Sequence, residues 1–314
     1  MPSSARVLTA LLAFACSASF LATAGWATQP PRPWLIAHRG ASAYAPENTV
    51  PAFTLAVEQG ATFVEFDLRL TKDRQLVCLH DETLERTTDV KRVFPDRARR
   101  AAGGADAPER WFLEDFTLDE VRRLDAGSWF DPQFAGTRIP TFAETIDSLR
   151  GRSGLFIELK SPERYAGIER LVMAELEAKG LDRPGADPRT PVLIQSFTAS
   201  SLEIFAREIG TTLPIHLLVG ARDAAPWLTP DGRERLRGFA TGLSPEKSVV
   251  ANHPEAMRTA QARGLLVTPY TFRAGTTAPF PDVRAEMAHY LEVLGADGVI
   301  TDNPDQMPRS QQGR

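Results

Sequence analysis

Runs of apolar residues alternate with amphipathic stretches along most of this chain. Runs with the length and composition of strands occupy residues 34–38, 62–70, 76–80, 155–160, 192–197, 213–219, 239–243, 265–270 and 298–301. Patterns with helical periodicity separate most of them, at residues 48–59, 163–179, 199–209 and 285–294. Residues 71–74 predict a hairpin-like turn between the second and third runs.

This alternation predicts an α/β fold. About eight strands that alternate with helices, in a chain of this size, favour a parallel (β/α)₈ TIM barrel. A doubly wound sheet is the alternative, but no glycine-rich dinucleotide-binding loop follows the first strand.

Two predicted strands carry acidic side chains among their apolar ones. Alternation puts Glu65, Asp67 and Arg69 on one face of the second strand, and Glu158 and Lys160 share a face later in the chain. Carboxylates on apolar strands are costly unless they are paired or hold a cation. No Cys or His lies in these runs, so a bound metal would be hard and oxygen-loving, such as Mg²⁺ or Ca²⁺. The alternative is a buried salt-bridge network that includes Arg39, Arg69 and Lys160.

Histidines end two of the predicted strands. His38 precedes Arg39, which can fork onto a phosphate, and Gly40, which allows a close approach of backbone. His80-Asp81 ends the strand that follows the hairpin. Because the carboxyl ends of barrel strands surround the active site, two histidines there suggest a general base and a general acid. The set of histidines, acids and cations fits phosphoryl chemistry.

The other three histidines are weaker candidates. His216 lies within a predicted strand and belongs either to the core or to the lining of the site. His253 and His289 are expected to be structural or exposed.

The N-terminal residues have the pattern of a cleavable secretory signal peptide. Arg6 gives a small positive region, residues 7–22 are apolar, and Gly25-Trp26-Ala27 offers a cleavage site. We therefore predict a signal peptide over residues 1–27, a mature domain over residues 28–314 and a periplasmic or secreted location. An uncleaved membrane anchor is the alternative, although the apolar run is short for a span.

Composition narrows the possible partners. Cys78 is the only cysteine after the predicted signal peptide, which excludes an intramolecular disulfide and favours an inert core thiol. The formal net charge is −4, with both signs mixed along the chain. Nothing in this balance indicates nucleic-acid binding or a polybasic membrane surface, and we expect no stable membrane insertion of the mature chain.

Short motifs occur in a characteristic order along the chain. They are His38-Arg39-Gly40, Pro46-Glu47-Asn48-Thr49, Glu65-Phe66-Asp67, His80-Asp81, Asp125-Ala126-Gly127-Ser128-Trp129-Phe130, Ile139-Pro140-Thr141, Glu158-Leu159-Lys160 and Thr301-Asp302-Asn303-Pro304. As a set they resemble the glycerophosphodiester phosphodiesterase family, and Tyr270-Thr271-Phe272-Arg273 resembles its secreted or periplasmic bacterial type. The resemblance covers residues 34–305, nearly the whole predicted mature chain.

The resemblance implies a barrel with a small insertion after the second strand. It also implies metal-dependent hydrolysis of glycerophosphodiesters, such as glycerophosphocholine or glycerophosphoethanolamine, to sn-glycerol 3-phosphate and an alcohol. One divalent ion, Ca²⁺ or Mg²⁺, is expected as cofactor. The residues that match the family's positions are His38 and His80 as the acid/base pair, Glu65, Asp67 and Glu158 as metal ligands, and Arg39 and Lys160 as phosphate anchors.

Two further features bear on substrate choice. Phe197 and Tyr270, at strand ends, are expected either to form an apolar wall against glycerol or to belong to the core. Residues 91–110 are the least family-like segment, and they predict either a solvated loop or a lid over the site.

Two rival functions differ in class. A barrel-type phospholipase that acts on intact lipids would need an exposed apolar rim, for which Trp111-Phe112 and Trp129-Phe130 are the candidates. A non-catalytic periplasmic glycerophosphodiester-binding protein would not require a pair of histidines, because binding alone needs neither an acid nor a base.

Overall fold

Eight parallel strands form a nearly closed barrel. The structure is a computed structural model that describes residues 30–101 and 107–308. Its strands are β1 (Trp34–Ala37), β2 (Phe63–Leu70), β3 (Leu76–Cys78), β4 (Arg99–Arg100), β5 (Glu109–Arg110), β6 (Gly154–Leu159), β7 (Val192–Ser196), β8 (Ile215–Val219), β9 (Gly242–Pro245), β10 (Leu266–Val267) and β11 (Gly298–Thr301). The barrel order is β10, β9, β8, β7, β6, β2, β1, β11.

The seam between β10 and β11 is closed by single hydrogen bonds instead of a continuous ladder. Asp297 donates its backbone N–H to the carbonyl of Val267 (2.8 Å), and Ile300 donates to the carbonyl of Pro269 (2.9 Å). The Asp297 carboxylate also accepts the N–H of Val267 at 2.9 Å. The predicted (β/α)₈ TIM barrel is thereby confirmed.

The helices cover the outside of the barrel, except two short ones that lie within an insertion after β3. They are α1 (Val50–Glu58), α2 (Val90–Val93), α3 (Leu118–Val121), α4 (Phe142–Leu149), α5 (Ile168–Ala178), α6 (Ala199–Glu203), α7 (Pro230–Arg237), α8 (Lys247–Asn252), α9 (Pro254–Ala262) and α10 (Val283–Ala288). Two π-helical turns, Ile204–Ile209 and His289–Val293, extend α6 and α10. Short 3₁₀ turns lie at Pro95–Arg97, Leu113–Asp115, Pro132–Phe134, Pro162–Arg164, Ala225–Leu228 and Pro304–Gln306. No described helix is both long and apolar enough to cross a membrane.

Strand alternation separates two cores. On β2, Val64, Phe66 and Leu68 face the helices and belong to the large core between barrel and helices. The opposite face of the strands points into the barrel, where apolar side chains form a separate interior cluster: Trp34, Ile36, Phe63, Phe156, Leu193, Leu266 and Ile300. This cluster fills the barrel interior, so that polar groups of the same face accumulate towards the carboxyl ends of the strands.

An insertion between β3 and α4 packs around its own core. β3 runs antiparallel to β2, with Leu68 opposite Cys78, which confirms the predicted hairpin. The residues that follow build a second apolar cluster, which contains Leu79, Leu84, Val90, Leu113, Phe116, Val121 and Leu124. The insertion that the resemblance implied is therefore a small packed unit attached to the second strand.

The arginine-rich segment at residues 91–110 belongs to this insertion. β4 and β5 pair as an antiparallel hairpin, and residues 102–106 lie outside the described part of the chain. Arg97 lies over the ring of Phe116 at 4.7 Å, and Arg99 lies over Phe112 at 3.8 Å and pairs with Asp115 at 2.6 Å. The described residues of this segment are held against the insertion, and none of them lines the pocket at the carboxyl ends of the barrel strands.

Cys78, the free thiol of the described residues, is a core residue, as predicted. Cys78 is 1% exposed and lies 3.1 Å from the hydroxyl of Thr145. Burial raises the pKa of the Cys78 thiol, which disfavours the reactive thiolate.

The barrel interior contains a fully buried histidine. His216 lies between the rings of Trp34 and Phe156, at 6.3 and 5.5 Å, and its Nδ1 is 3.2 Å from the hydroxyls of Ser244 and Thr268. A Cβ on Gly242 would lie 2.3 Å from His216 Nε2, so the ring depends on a glycine there. Burial lowers the pKa of His216 to about 3. His216 therefore belongs to the core, which is one of the two positions predicted for it, and not to the lining of the site.

We predict that His216 makes the fold sensitive to acid. Its pKa is lower in the folded than in the unfolded chain, so its contribution to stability is present above about pH 6.5 and is lost as the pH falls towards 3. The free energy of unfolding should decline by up to about 1.4 kcal/mol per pH unit from this residue. Urea unfolding of wild type and His216→Gln between pH 7.5 and 4.5 measures this, and the gap between them should narrow with acid. A gap that stays constant, as we expect for the exposed control His253→Gln, would contradict the assignment.

Candidate active site

The first strand ends in a tight turn that presents His38 and Arg39 at the carboxyl end of the barrel. Arg39 has a φ of 56°, in the left-handed region, and Gly40 follows with a φ of 82°. A Cβ on Gly40 would lie 2.6 Å from the backbone of Ala52 in α1. Glycine is therefore required where this loop crosses the first helix.

Three carboxylates converge beside this turn. Glu65 and Asp67 come from the inward face of β2, and Glu158 lies on β6, directly opposite Asp67. All three are buried, and one oxygen from each lies within 4.8 Å of the others. Glu65 Oε1 and Asp67 Oδ1 have no hydrogen-bond partner among the described residues. The predicted acidic cluster is thus present as a group.

Two cations and an asparagine hold these acids in place. Lys160 Nζ lies 2.6 Å from Glu158 and 3.5 Å from Asp67. Arg39 donates its backbone N–H to Glu65 at 2.7 Å, and its Nε lies 3.4 Å from Asp67. Asn48 donates to Asp67 Oδ2 at 2.7 Å and accepts the backbone N–H of Asp67 at 3.1 Å.

Part of the predicted salt-bridge alternative is also present. Arg39 and Lys160 pair with the acids, but Arg69 does not join them. Its Nε donates to the carbonyl of His80 at 2.9 Å, and its Nη1 reaches the hydroxyl of Tyr165 at 3.4 Å. Among the described residues, Glu65 Oε1 has no partner after both cations are counted, and Asp67 Oδ1 has only the Lys160 ammonium, at 3.5 Å.

Burial and mutual repulsion shift the pKa values of the three acids in different directions. Burial, followed by the charges of Asp67 and Glu158, raises the pKa of Glu65 well above its usual range. Burial also raises the pKa of Glu158 against the opposing charge of Lys160. For Asp67, burial is outweighed by Lys160 and Arg39, and its pKa falls far below the usual range. A cation bound among the three would favour the charged form of each.

Each of the two predicted histidines is oriented by a carboxylate. His38 Nδ1 lies 2.6 Å from Asp302, and His80 Nδ1 lies 2.7 Å from Asp81. Burial alone would raise the pKa of Asp302, but its hydrogen bond and charge interaction with His38 lower it instead. A carboxylate at Nδ1 fixes the ring and its tautomer, which leaves Nε2 for proton transfer.

A chain of ion pairs connects the second histidine with the arginine at the first strand. Arg86 donates to both oxygens of Asp81, at 2.6 and 3.1 Å, and to both oxygens of Glu47, at 2.7 and 2.8 Å. Glu47 in turn accepts from Arg39 at 2.9 Å. The chain of contacts therefore runs from His80 through Asp81, Arg86 and Glu47 to Arg39, and it connects the insertion with the barrel.

These groups surround one small pocket. It has a volume of about 140 Å³ and is lined by His38, Arg39, His80, Glu158, Lys160, Gln195, Phe197, Leu218, Tyr270, Thr271 and Ile300. Phe197 is 48% exposed, and its ring meets Tyr270 edge-on at 5.8 Å. Phe197 and Tyr270 thus form part of the pocket wall, and Tyr270 also packs against the interior cluster. Glu65 and Asp67 belong to the acidic cluster with Glu158.

The sequence motifs did not predict the roles of several residues that hold the site in place. Asn48, Glu47 and Asp302 lie in motifs that were recognised, yet nothing in those motifs shows what the side chains contact. Arg86 lies outside the motifs. The other two histidines agree with prediction, because His253 is exposed and His289 packs against Phe280 at 5.1 Å.

Comparison with known proteins identifies the class. The sequence profile of the glycerophosphoryl diester phosphodiesterase family matches residues 38–306. A glycerophosphodiester phosphodiesterase of Bacillus subtilis is 32% identical over 311 residues, which cover 96% of this chain and 94% of that protein. One of Caldanaerobacter subterraneus is 33% identical over 275 residues, which cover 87% of this chain and 95% of that protein.

Solved structures agree with these relatives. A phosphodiesterase of Oleispira antarctica, in complex with the product sn-glycerol-3-phosphate, matches with a TM-score of 0.68 and 28% identity over 90% of this chain and 97% of that chain. A glycerophosphodiester phosphodiesterase of Agrobacterium tumefaciens gives a TM-score of 0.61 and 27% identity over 86% and 96% of the two chains. The chain therefore belongs to the glycerophosphoryl diester phosphodiesterase family and is an enzyme of that activity.

We predict that Arg86 positions the site without contacting substrate. Arg86→Gln removes the charge that joins Asp81 to Glu47, so that His80 and Arg39 lose a shared restraint. We expect kcat for glycerophosphocholine to fall roughly 10–100-fold, the usual effect of losing a supporting contact, with a smaller change in KM. Steady-state kinetics measure both constants.

The matched control is Arg164→Gln. Arg164 also joins barrel to insertion, through Glu114 at 2.9 Å and Glu82 at 3.4 Å, but it does not line the pocket. This control should retain kcat within about twofold, since neither Glu114 nor Glu82 lines the pocket. Equal kinetics for both variants would show that the ion-pair chain does not position the histidine.

Proposed function

We propose that the enzyme hydrolyses glycerophosphodiesters such as glycerophosphocholine and glycerophosphoethanolamine, with the aid of a divalent metal ion, to sn-glycerol 3-phosphate and an alcohol. The observation that carries the proposal is the pocket in which two carboxylate-oriented histidines meet two cations beside three buried acids. The product bound by the Oleispira antarctica enzyme supports the same choice of substrate.

The acidic cluster fits a hard divalent cation. Glu65 Oε1 is buried without a partner among the described residues, and Asp67 Oδ1 has only Lys160, at 3.5 Å. Buried carboxylate oxygens of this kind are strongly disfavoured unless a cation completes them. Glu65, Asp67 and Glu158 would hold Ca²⁺ or Mg²⁺, which both bind carboxylate oxygens. The ion, when bound, supplies positive charge that stabilises the developing charge on the phosphoryl group.

The two histidines supply the acid and the base. In a first step one histidine accepts the proton of the glycerol 2-hydroxyl as it attacks phosphorus, and the other donates a proton to the alcohol that leaves. In a second step water opens the resulting cyclic phosphate with the two roles reversed, which gives sn-glycerol 3-phosphate. In each step one P–O bond forms and one breaks, and the proton lost by the nucleophile equals the proton gained by the leaving alcohol. Asp302 and Asp81 hold the rings so that Nε2 is the nitrogen that exchanges the proton.

The remaining pocket groups bind the substrate. Arg39 and Lys160 offset the charge on the phosphoryl oxygens, and their side chains are only 17% and 13% exposed, so solvent screens them weakly. Phe197 and Tyr270 form an apolar wall against the carbon atoms of glycerol.

We predict that the purified enzyme releases sn-glycerol 3-phosphate and choline from glycerophosphocholine only when a divalent ion is present. Excess chelator should abolish turnover, and Ca²⁺ or Mg²⁺ should restore it, because the three carboxylates repel one another without a cation. Enzymatic detection of both products at a series of metal concentrations measures this. Full turnover in excess chelator would exclude the metal.

The histidine variants separate catalysis from binding. His38→Ala and His80→Ala should each lower kcat by roughly 10²–10⁴ while product affinity changes little. A non-catalytic binding protein would bind glycerophosphocholine without hydrolysing it, in the wild type as well as in the histidine variants. A phospholipase would prefer intact phosphatidylcholine to glycerophosphocholine.

We also propose that the enzyme acts in the periplasm or outside the cell. The support is the signal-peptide pattern of residues 1–27, which lie outside the described residues. We predict that the exported protein begins near Thr28, and mass spectrometry of the secreted or periplasmic fraction measures this. Intact protein that retains Arg6 in the cytoplasmic fraction would contradict the proposal.

A further inference from the structure

Gln195 is a buried polar residue at the pocket for which the reaction described above has no use. It lies on β7, in register with Glu158 on β6 and with His216 on β8. It is 1% exposed, it lines the active-site pocket, and its Oε1 has no hydrogen-bond partner among the described residues.

The described neighbours of Gln195 do not satisfy its amide oxygen. Glu158 is already paired with Lys160 at 2.6 Å, and the Nδ1 of His216 is engaged by Ser244 and Thr268. A buried amide oxygen without a donor is strongly disfavoured. Such a group at the wall of a pocket is therefore explained if a ligand supplies the missing partner.

The chemistry of the pocket indicates which part of a substrate this partner is. A phosphoryl oxygen only accepts hydrogen bonds, and Arg39 and Lys160 already serve it. An amide both donates and accepts, which matches a hydroxyl group, since a hydroxyl also does both. Two residues further along the same face, Phe197 presents an apolar ring to the pocket. Together they offer one polar and one apolar contact, the combination that a hydroxylated carbon chain requires.

We propose that the side-chain amide of Gln195 hydrogen-bonds a hydroxyl of the substrate's glycerol unit and thereby selects glycerol-bearing phosphodiesters. The assignment rests on the proposed function and adds the group that distinguishes glycerol from an unsubstituted alkyl chain. A site built to bond a hydroxyl rejects an analogue without it strongly, because the buried amide is then left unpaired.

Binding of two ligands that differ only in hydroxyl groups tests the assignment. Isothermal titration calorimetry with sn-glycerol 3-phosphate and with propyl phosphate, in the presence of Ca²⁺, gives the two dissociation constants. Wild type should prefer sn-glycerol 3-phosphate by roughly tenfold or more, and Gln195→Met, which keeps an unbranched side chain without hydrogen bonds, should lose that preference. Its affinity for propyl phosphate should stay within about threefold of the wild-type value, because the phosphate anchors are unchanged.

The control is Thr268→Val. Thr268 is buried in the same barrel interior and bonds Ser244 at 2.9 Å, but it does not line the pocket, so this variant should keep the wild-type preference. Circular dichroism checks the fold of each variant, and Gln195→Leu replaces Gln195→Met if the latter is unfolded.

The outcomes separate the two proposals. Equal affinity of wild type for both ligands, or an undiminished preference in the folded Gln195 variant, overturns the role of Gln195. Failure of the wild type to hydrolyse glycerophosphocholine, whatever its ligand preference, overturns the proposed function instead.

Discussion

Repulsion among three buried carboxylates is the constraint around which the site is built. Glu65, Asp67 and Glu158 place oxygens within 4.8 Å of one another on two adjacent strands. Folding tolerates this only because Lys160, Arg39 and the amide of Asn48 approach from the loops that surround them. The same two cations line the pocket, so the groups that stabilise the acids are also those available to a phosphate.

The strand pattern was predictable from sequence because it depends on local alternation. The inward face of β2, with Glu65 and Asp67, follows directly from the period of two, and the hairpin to β3 follows from its turn. The predicted 199–209 helix continues through a π-helical turn, a difference in hydrogen bonding that side-chain periodicity does not encode.

Contacts between distant segments were not predictable in the same way. Asp302 orients His38 across 264 positions of sequence, and Arg86 reaches Glu47 across 39. Both contacts arise from barrel closure and from the docking of the insertion, and neither has a local signal. The unpaired oxygen of Gln195 is visible only when every neighbour has been placed. Motif resemblance indicated which groups are candidates for the reaction, but only the geometry shows which contacts hold them in place.

The insertion's separate core has a consequence for how the histidine pair is assembled. His38 belongs to the barrel, whereas His80 follows Leu79, which packs in the core of the insertion. The distance between the two histidines is therefore set by the way the insertion docks on the barrel, and the ion pairs of Arg86 connect the two bodies. A substitution that leaves a cavity deep in the insertion, for example at Leu113 or Phe116, would therefore change the position of His80 relative to His38. It would do so although neither side chain lines the pocket.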